Sequence, residues 1–291
     1  MKSQSPIQVM KTIREMQEIS EKFRYEGKKI AVVPTMGYLH KGHMSLIERA
    51  SSLADIVMTT IFVNPTQFGP NEDFTRYPRD FEHDKTVAQA AGSDIIFYPN
   101  TEEIYPTGFS SIVEVEGVSN ILEGAFRPKH FRGVTTIVAK LLNITKPHIT
   151  VFGQKDAQQA FLIQKMVRDL NFNIDIVLAP IVREADGLAM SSRNMYLNKV
   201  ERKSASVLFR SLQYAAERIQ QGERSIALLR KEMLAIIQSG APTQIDYIAF
   251  INPATFSETE HFIQPEILVA LAARFGTTRL IDNSLIPITS S

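Results

Sequence analysis

Apolar residues return at steps of three and four over Val9, Ile13, Met16, Ile19 and Phe23, the spacing of one helix face, and Gly27 marks the end of that face. The pattern then shortens to a continuous apolar run over residues 30–33, stopped by Pro34. A loop with Gly37 and Gly42 follows, then a helical stretch from about residue 43 to 53. The same alternation returns as a strand over 56–63, a helix over 80–91 and a strand over 94–98. After an irregular stretch come a helix over 131–144, a strand over 148–152, a helix over 156–170 and a strand over 174–178. Alternation of this kind predicts an α/β, doubly wound parallel sheet over residues 1–181. Beyond it, two polar amphipathic helices near 199–220 and 225–238 precede strand-like runs at 245–250, 267–273 and 279–281. Helices followed by strands predict a smaller C-terminal α+β domain over 182–291.

A chain of 291 residues has ample apolar material for such cores without staples. Lys and Arg number 32 against 31 Asp and Glu, so no bulk field marks a nucleic-acid partner, and any anion needs a local site. With no cysteine, disulfides, thiolate zinc ligation and a cysteine nucleophile are excluded. The opening MKSQSPIQVMK lacks the apolar core of a signal peptide and no apolar run is long enough to span a bilayer, which predicts a cytoplasmic protein with no membrane partner.

Four segments carry candidate chemistry. PTMGYLHKGH, from Pro34 to His43, sits where the first strand of the series yields to a helix, at the carboxyl edge of a parallel sheet. Its glycines allow close backbone approach, and a helix N-terminus favours a phosphate. His40 and His43 could place two imidazole donors on a polyphosphate as diphosphate leaves. The plain alternative is two polar histidines beside a structural turn. A zinc pair fits less well, because the segment offers no further ligand at suitable spacing. FVNPTQF, over 62–68, ends the next strand; its amides Asn64 and Gln67 suit a substrate hydroxyl or carboxylate, while Asn-Pro equally marks an ordinary turn. The stretch 69–78 reads as a lid or as a passive loop. GQKDAQQ, over 153–159, again follows a strand and opens a helix. Gly153 permits close approach, Lys155 is a point charge for phosphate, Asp156 can accept from ribose hydroxyls, and Gln159 lies one turn on. Alone it could be a capped helix start. LAMSSRN, over 188–194, puts Ser191, Ser192 and Arg193 beside the domain boundary, where they can wrap phosphate oxygens or simply form a loop.

These four segments in this order resemble the pantothenate synthetase family, the pantoate–β-alanine ligases of the HIGH-motif nucleotidyltransferase superfamily. The HxGH string alone marks only the superfamily; the set together is specific to the family and covers the first domain, while the second matches by length and order only. The resemblance implies a Rossmann-like nucleotide- and pantoate-binding domain and a C-terminal lid domain. It implies that ATP and (R)-pantoate form an enzyme-bound pantoyl adenylate, from which β-alanine displaces AMP. It further implies that Met36, Gly37, His40, Gly42 and His43 line the ATP site, with His43 as proton donor and His40 its partner on the phosphates. Gly153, Gln154, Lys155 and Asp156 would hold the nucleotide, Val182 would meet adenine through its backbone, and Met190, Ser191, Ser192 and Arg193 would clasp the triphosphate. Gln67 and Gln159 would bind pantoate, Gln67 later β-alanine, with Asn64 and His130 as further substrate contacts. Magnesium would ride on the ATP phosphates rather than in a protein cage, and the active form would be a homodimer.

Adenylation suits these residue types: a carboxylate is a poor electrophile, and bringing it to ATP joins two anions whose repulsion local donors must offset. An adenylate also hydrolyses in open water, so a two-domain cleft that closes would protect it. Two rivals stay open at this point. A nucleotidyltransferase that stops at a dinucleotide would release diphosphate without AMP, and a nucleotide-sensing module would bind ATP without turnover.

Overall fold

The computed structural model describes residues 6–70, 72–262 and 265–288, so the first five residues of the opening segment and Asn71 of the 69–78 stretch lie outside it. The chain divides into two compact units. The first runs to Gln154 and resumes over Gln158–Pro180; the second takes in Lys155–Ala157 and the chain from Ile181 onward.

In the first unit six parallel strands are ordered β1-β4-β3-β2-β5-β6: β1 (Gln8–Met10), β2 (Ile30–Thr35), β3 (Ile56–Ile61), β4 (Ile95–Phe97), β5 (Ile149–Gly153) and β6 (Asp175–Ala179). The strands alternate between two cores. Ile30 and Val32 join Met16, Leu142 and Leu162 on one face, while Ala31 and Val33 join Ile47, Ala50 and Ala88 on the other. Helices α1 (Ile13–Tyr25), α6 (His130–Thr145) and α7 (Ala157–Asp169) supply the first face; α2 (Lys41–Ser51) and α3 (Phe81–Ala90) supply the second. Short helices α4 (Thr101–Ile104) and α5 (Glu123–Phe126) interrupt the irregular stretch before α6. This is the doubly wound arrangement expected from the alternating pattern. From β2 the chain steps through β3 to β4 and then returns to the other side of β2 as β5, so the strand order reverses between β2 and β5. Ligands of open α/β sheets bind at such a reversal, beyond the carboxyl ends of the strands.

Two expectations need correction here. Val9 belongs to the edge strand β1, not to the first helix, because Thr12 and Glu15 form a capping box that starts α1 at Ile13. Pro34 does not stop its strand: β2 runs on to Thr35. Pairing with β5 is confined to Ala31 and Val32, and Thr35 turns its carbonyl toward β3, so the missing N–H of Pro34 falls on the side where no ladder bond is made.

The second unit packs α9 (Val207–Gln220) and α10 (Ile226–Gln238) on a four-stranded antiparallel sheet ordered β10-β9-β7-β8, from β7 (Gln244–Asn252), β8 (Ser257–Glu258), β9 (Glu266–Phe275) and β10 (Thr278–Pro287). Leu208, Leu212 and Ile219 of α9 and Leu229, Met233 and Ile237 of α10 meet Phe250, Val269, Leu271 and Leu280 in one core. The helix expected over 199–220 is broken into α8 (Lys199–Ser204) and α9, where the backbone tightens and Leu208 N–H donates to the Ala205 carbonyl. Strand β10 is far longer than the run expected at 279–281, since polar Asp282 and Asn283 interrupt its apolar pattern yet are buried within it.

Candidate active site

The segment from Pro34 to His43 leaves β2 at the reversal point and enters α2. Gly37 and Tyr38 both adopt positive φ, at 85° and 50°, which turns the chain sharply between the two elements. A side chain at Gly37 would place its Cβ 2.8 Å from the Asp84 carboxylate, so glycine is required by space as well as by backbone. Asp84, on α3, accepts from Tyr38 N–H at 2.9 Å and Leu39 N–H at 2.6 Å. His83 Nε2 lies 3.0 Å from the Leu39 carbonyl, so α3 grips the loop twice. Burial pushes the Asp84 carboxyl above the ordinary carboxylate range, opposed by the hydrogen bonds from Leu39 and Tyr38. Neither residue belongs to one of the four segments. The available signal is register: Asp84 occupies the same buried face of α3 as Ala88, where an acid needs a partner.

The two histidines cap α2 reciprocally. His40 Nδ1 accepts from Gly42 N–H at 3.1 Å, and His43 Nδ1 accepts from His40 N–H at 3.2 Å; the ring centroids are 4.1 Å apart. An imidazole whose Nδ1 accepts a backbone proton is neutral and carries its own hydrogen on Nε2. Backbone capping therefore sets both rings as Nε2–H donors at a helix N-terminus, where the dipole favours an anion. Gly153 and Gln154 leave β5, the other strand of the reversal point, and Gly153 lies against Leu46 of α2.

Asn64 and Gln67 lie on the turn after β3 and are buried. The Asn64 amide is committed to protein partners. Its Oδ1 accepts from Tyr105 Oη at 2.8 Å and Thr66 Oγ1 at 2.9 Å, and its Nδ2 donates to Gly133 O at 3.1 Å and Gln67 Oε1 at 3.2 Å. Gln67 Nε2 rests against Met36 Sδ, tying this turn to the Pro34–His43 loop. His130, at the start of α6, has Nε2 3.0 Å from Arg127 Nη1 and Nδ1 2.8 Å from the Gln67 carbonyl. Because Arg127 can only donate, His130 is the Nδ1–H tautomer and donates to that carbonyl. Arg127 also pairs with Glu72 at 2.6 Å, which anchors the 69–78 stretch; Phe68 packs on Phe74 and Tyr77 within it. Tyr105, Arg127 and Glu72 have no motif to mark them, since each holds the Gln67 turn or the 69–78 stretch through contacts remote in sequence.

Gly133 allows α6 to lie flush on the Gln67 turn. A Cβ there would come within 2.4 Å of Thr66 O and 2.7 Å of Gln67 N, both backbone atoms that cannot rotate away. Gly133→Ala is expected to destabilise the protein by about 1–3 kcal/mol and to displace Gln67. Unfolding midpoints alongside substrate titrations check this; a normal midpoint with unchanged substrate requirement would show that the turn yields freely.

In the second unit, residues 182–190 form a small hairpin. Arg183 and Ala189 bridge, Met190 N–H donates to Val182 O at 3.0 Å, and Gly187 turns with φ 88°. Val182 and Met190, read separately from the sequence, are thus cross-strand partners. Arg202 holds the turn through Glu184 and Asp186, each at 2.6 Å, and its guanidinium lowers the Asp186 carboxyl below the usual range. Ser191 then caps the short turn that carries Ser192 and Arg193, accepting from Arg193 N–H at 3.2 Å. Lys155, half-buried, has its ammonium 3.7 Å from the Asp156 carboxylate. Gln159, two residues beyond Ala157, is half-buried on the first turn of α7.

A family model described as pantoate-beta-alanine ligase matches residues 8–285. A pantothenate synthetase of Geobacter sulfurreducens is 52% identical over 280 residues, covering 96% of this chain and 99% of the relative; one from Caldicellulosiruptor saccharolyticus is 51% identical with the same coverage. The crystal structure of pantothenate synthetase from Thermus thermophilus superposes with a TM-score of 0.90 at 41% identity, covering 96% of this chain and 99% of that one. The ligase from Francisella tularensis, solved with beta-gamma ATP and beta-alanine, gives a TM-score of 0.78 at 34% identity, covering 96% and 97%. With the family model spanning nearly the whole chain and relatives of equal length at half identity, the chain belongs to the pantoate–β-alanine ligase family.

Proposed function

We propose that the protein joins (R)-pantoate to β-alanine with consumption of ATP, through a pantoyl adenylate, yielding pantothenate, AMP and diphosphate. The observation that carries this reading is the reciprocal capping of α2 by His40 and His43, which sets two neutral Nε2–H donors at a helix N-terminus beside the strand-order reversal. Donors of this kind strengthen as charge develops on departing diphosphate, and they require no permanent positive charge.

A pantoate carboxylate oxygen attacks the α-phosphorus of ATP, and the bond to diphosphate breaks. His43 and His40 donate hydrogen bonds from Nε2–H to the leaving phosphates, whose charge grows as the bond breaks. Met36, Gly37, Gly42, Gly153 and Gln154 bring backbone to the nucleotide; Lys155 meets phosphate, Asp156 the ribose and Val182 adenine. Met190, Ser191, Ser192 and Arg193 clasp the triphosphate. Magnesium enters as MgATP, the true substrate. Gln67 and Gln159 bind pantoate. Asn64 and His130 are further substrate contacts, and they also hold Gln67, Asn64 donating to its Oε1 and His130 to its carbonyl. The β-alanine amine then attacks the acyl carbon, the bond to AMP breaks, and the amine loses a proton. The reading places the enzyme in the cytoplasm as a homodimer; among the described residues no helix is long and apolar enough to cross a membrane.

Formation of AMP from MgATP tests the function, omitting pantoate and β-alanine in turn. AMP that requires both is expected. Diphosphate without AMP would instead favour a nucleotidyltransferase, and ATP binding without turnover a sensing module. Gln67→Ala is expected to raise the apparent requirement for pantoate by roughly tenfold, the effect of one lost hydrogen bond in a buried site. Steady-state titration checks it, and a change confined to ATP would move Gln67 to the other substrate.

A further inference from the structure

Asp282 and Asn283 lie side by side on β10, both buried and polar, in a strand that otherwise packs against the second core. Neither belongs to a recognised motif. Their partners explain why such residues are held inside. Asp282 forms a two-pronged pair with Arg183, Oδ2 to Nη1 at 2.6 Å and Oδ1 to Nη2 at 3.0 Å. The guanidinium lies 4.2 Å over the Phe209 ring and also donates to Gly187 O, so it locks the base and the turn of the 182–190 hairpin. Asn283 N–H donates to Asp282 Oδ1 at 2.8 Å, which orients the pair. Asn283 Nδ2 then donates to the backbone carbonyl of Lys155 at 2.9 Å. The segment Lys155–Ala157 is grouped with the second unit although the chain on both sides of it belongs to the first.

We infer that Asn283 is a positioning residue for Lys155: the Asp282–Asn283 step of β10 braces Lys155 and the hairpin leading to Ser191–Arg193 as one part of the nucleotide-binding apparatus. The inference rests on the reading that Lys155 meets ATP phosphate. Lys155 is tied by a direct hydrogen bond to Asn283, and the hairpin that leads to Ser191–Arg193 is tied through Arg183 to the adjacent Asp282 on the same strand. Loss of the Asn283 amide frees the Lys155 carbonyl and with it the direction of the ammonium.

The test is a double-mutant cycle on ATP affinity, read from ATP-dependent shifts in the unfolding midpoint of the full-length protein. Asn283→Ala alone is expected to weaken ATP about 3- to 10-fold, the span of one hydrogen bond. Asn283→Asp, equal in size but with an oxygen facing the carbonyl, is expected to weaken it at least as much and keeps the test open should the alanine variant fail to fold. In a Lys155→Ala background neither change should weaken ATP further. Equal losses with and without the Lys155 side chain would overturn the inference and leave Asn283 a structural residue only. Adenylation of pantoate by the unaltered protein is scored separately: ATP binding without adenylation would sink the ligase reading and leave the cycle interpretable, whereas no ATP binding at all would overturn both.

Discussion

Replacing His43 by alanine is expected to lower turnover by about 10²- to 10⁴-fold, the range for a lost general acid or transition-state donor. The same change removes the acceptor for His40 N–H, so a drop in stability of about 0.5–2 kcal/mol should accompany it, as for other lost N-caps. The two effects separate with His43→Asn, whose side-chain oxygen restores a cap acceptor but presents no Nε2–H in the same place. Turnover should stay low while the unfolding midpoint recovers. Near-normal turnover in either variant would refute the role of His43 as donor. Because His40 also caps through Nδ1 and presents Nε2–H beside His43, the prediction extends to it with a smaller loss.

The second large effect is expected at Asp84. Asp84→Ala leaves the N–H groups of Tyr38 and Leu39 without their acceptor in a buried loop, and each such group costs about 1–3 kcal/mol. The strained Gly37–Tyr38 turn then loses the contact that fixes it, and the rings of His40 and His43 lose the platform on which they are aimed. A loss of stability of about 2–5 kcal/mol is expected together with weaker ATP binding. Asp84→Asn, which keeps one acceptor and turns a donor toward the other N–H, should fall between the two proteins. Calorimetric unfolding combined with ATP titration measures both; full stability in the alanine variant would mean that the loop is held elsewhere.

How much of the molecule is legible in the sequence depends on how local each feature is. The reciprocal capping of His40 and His43 spans four residues, and the glycine turn before it is dictated by backbone rules, so PTMGYLHKGH is legible at once. Strands β2, β3 and β5 are legible because burial on both faces makes their runs largely apolar, broken in β3 and β5 only by the buried Thr59, Thr60 and Thr150. Val9 is misplaced by periodicity because apolar spacing cannot distinguish the last strand residues from the first helical turn when a capping box intervenes. Arg127 and Asn283 carry no such signal, and the register of Asp84 shows only that an acid is buried, because their partners lie tens of positions away and no periodicity encodes such a pairing. Asn64 and His130, read as substrate contacts, also hold the Gln67 turn through hydrogen bonds, which residue type alone does not reveal. Lys155 shows the same limit at larger scale, since its segment follows β5 in sequence but is grouped with the second unit.

The central claim is that ATP activates pantoate as an adenylate, and the fate of the carboxylate oxygens tests it most directly. Pantoate labelled with ¹⁸O in its carboxylate should be turned over with MgATP and β-alanine, and the products weighed by mass spectrometry. Attack on the α-phosphorus followed by amine displacement carries one labelled oxygen into AMP and leaves the other in the amide carbonyl of pantothenate. Label in AMP would therefore be the expected result; AMP free of label, or label appearing in orthophosphate, would contradict the account and point to a different activated acid.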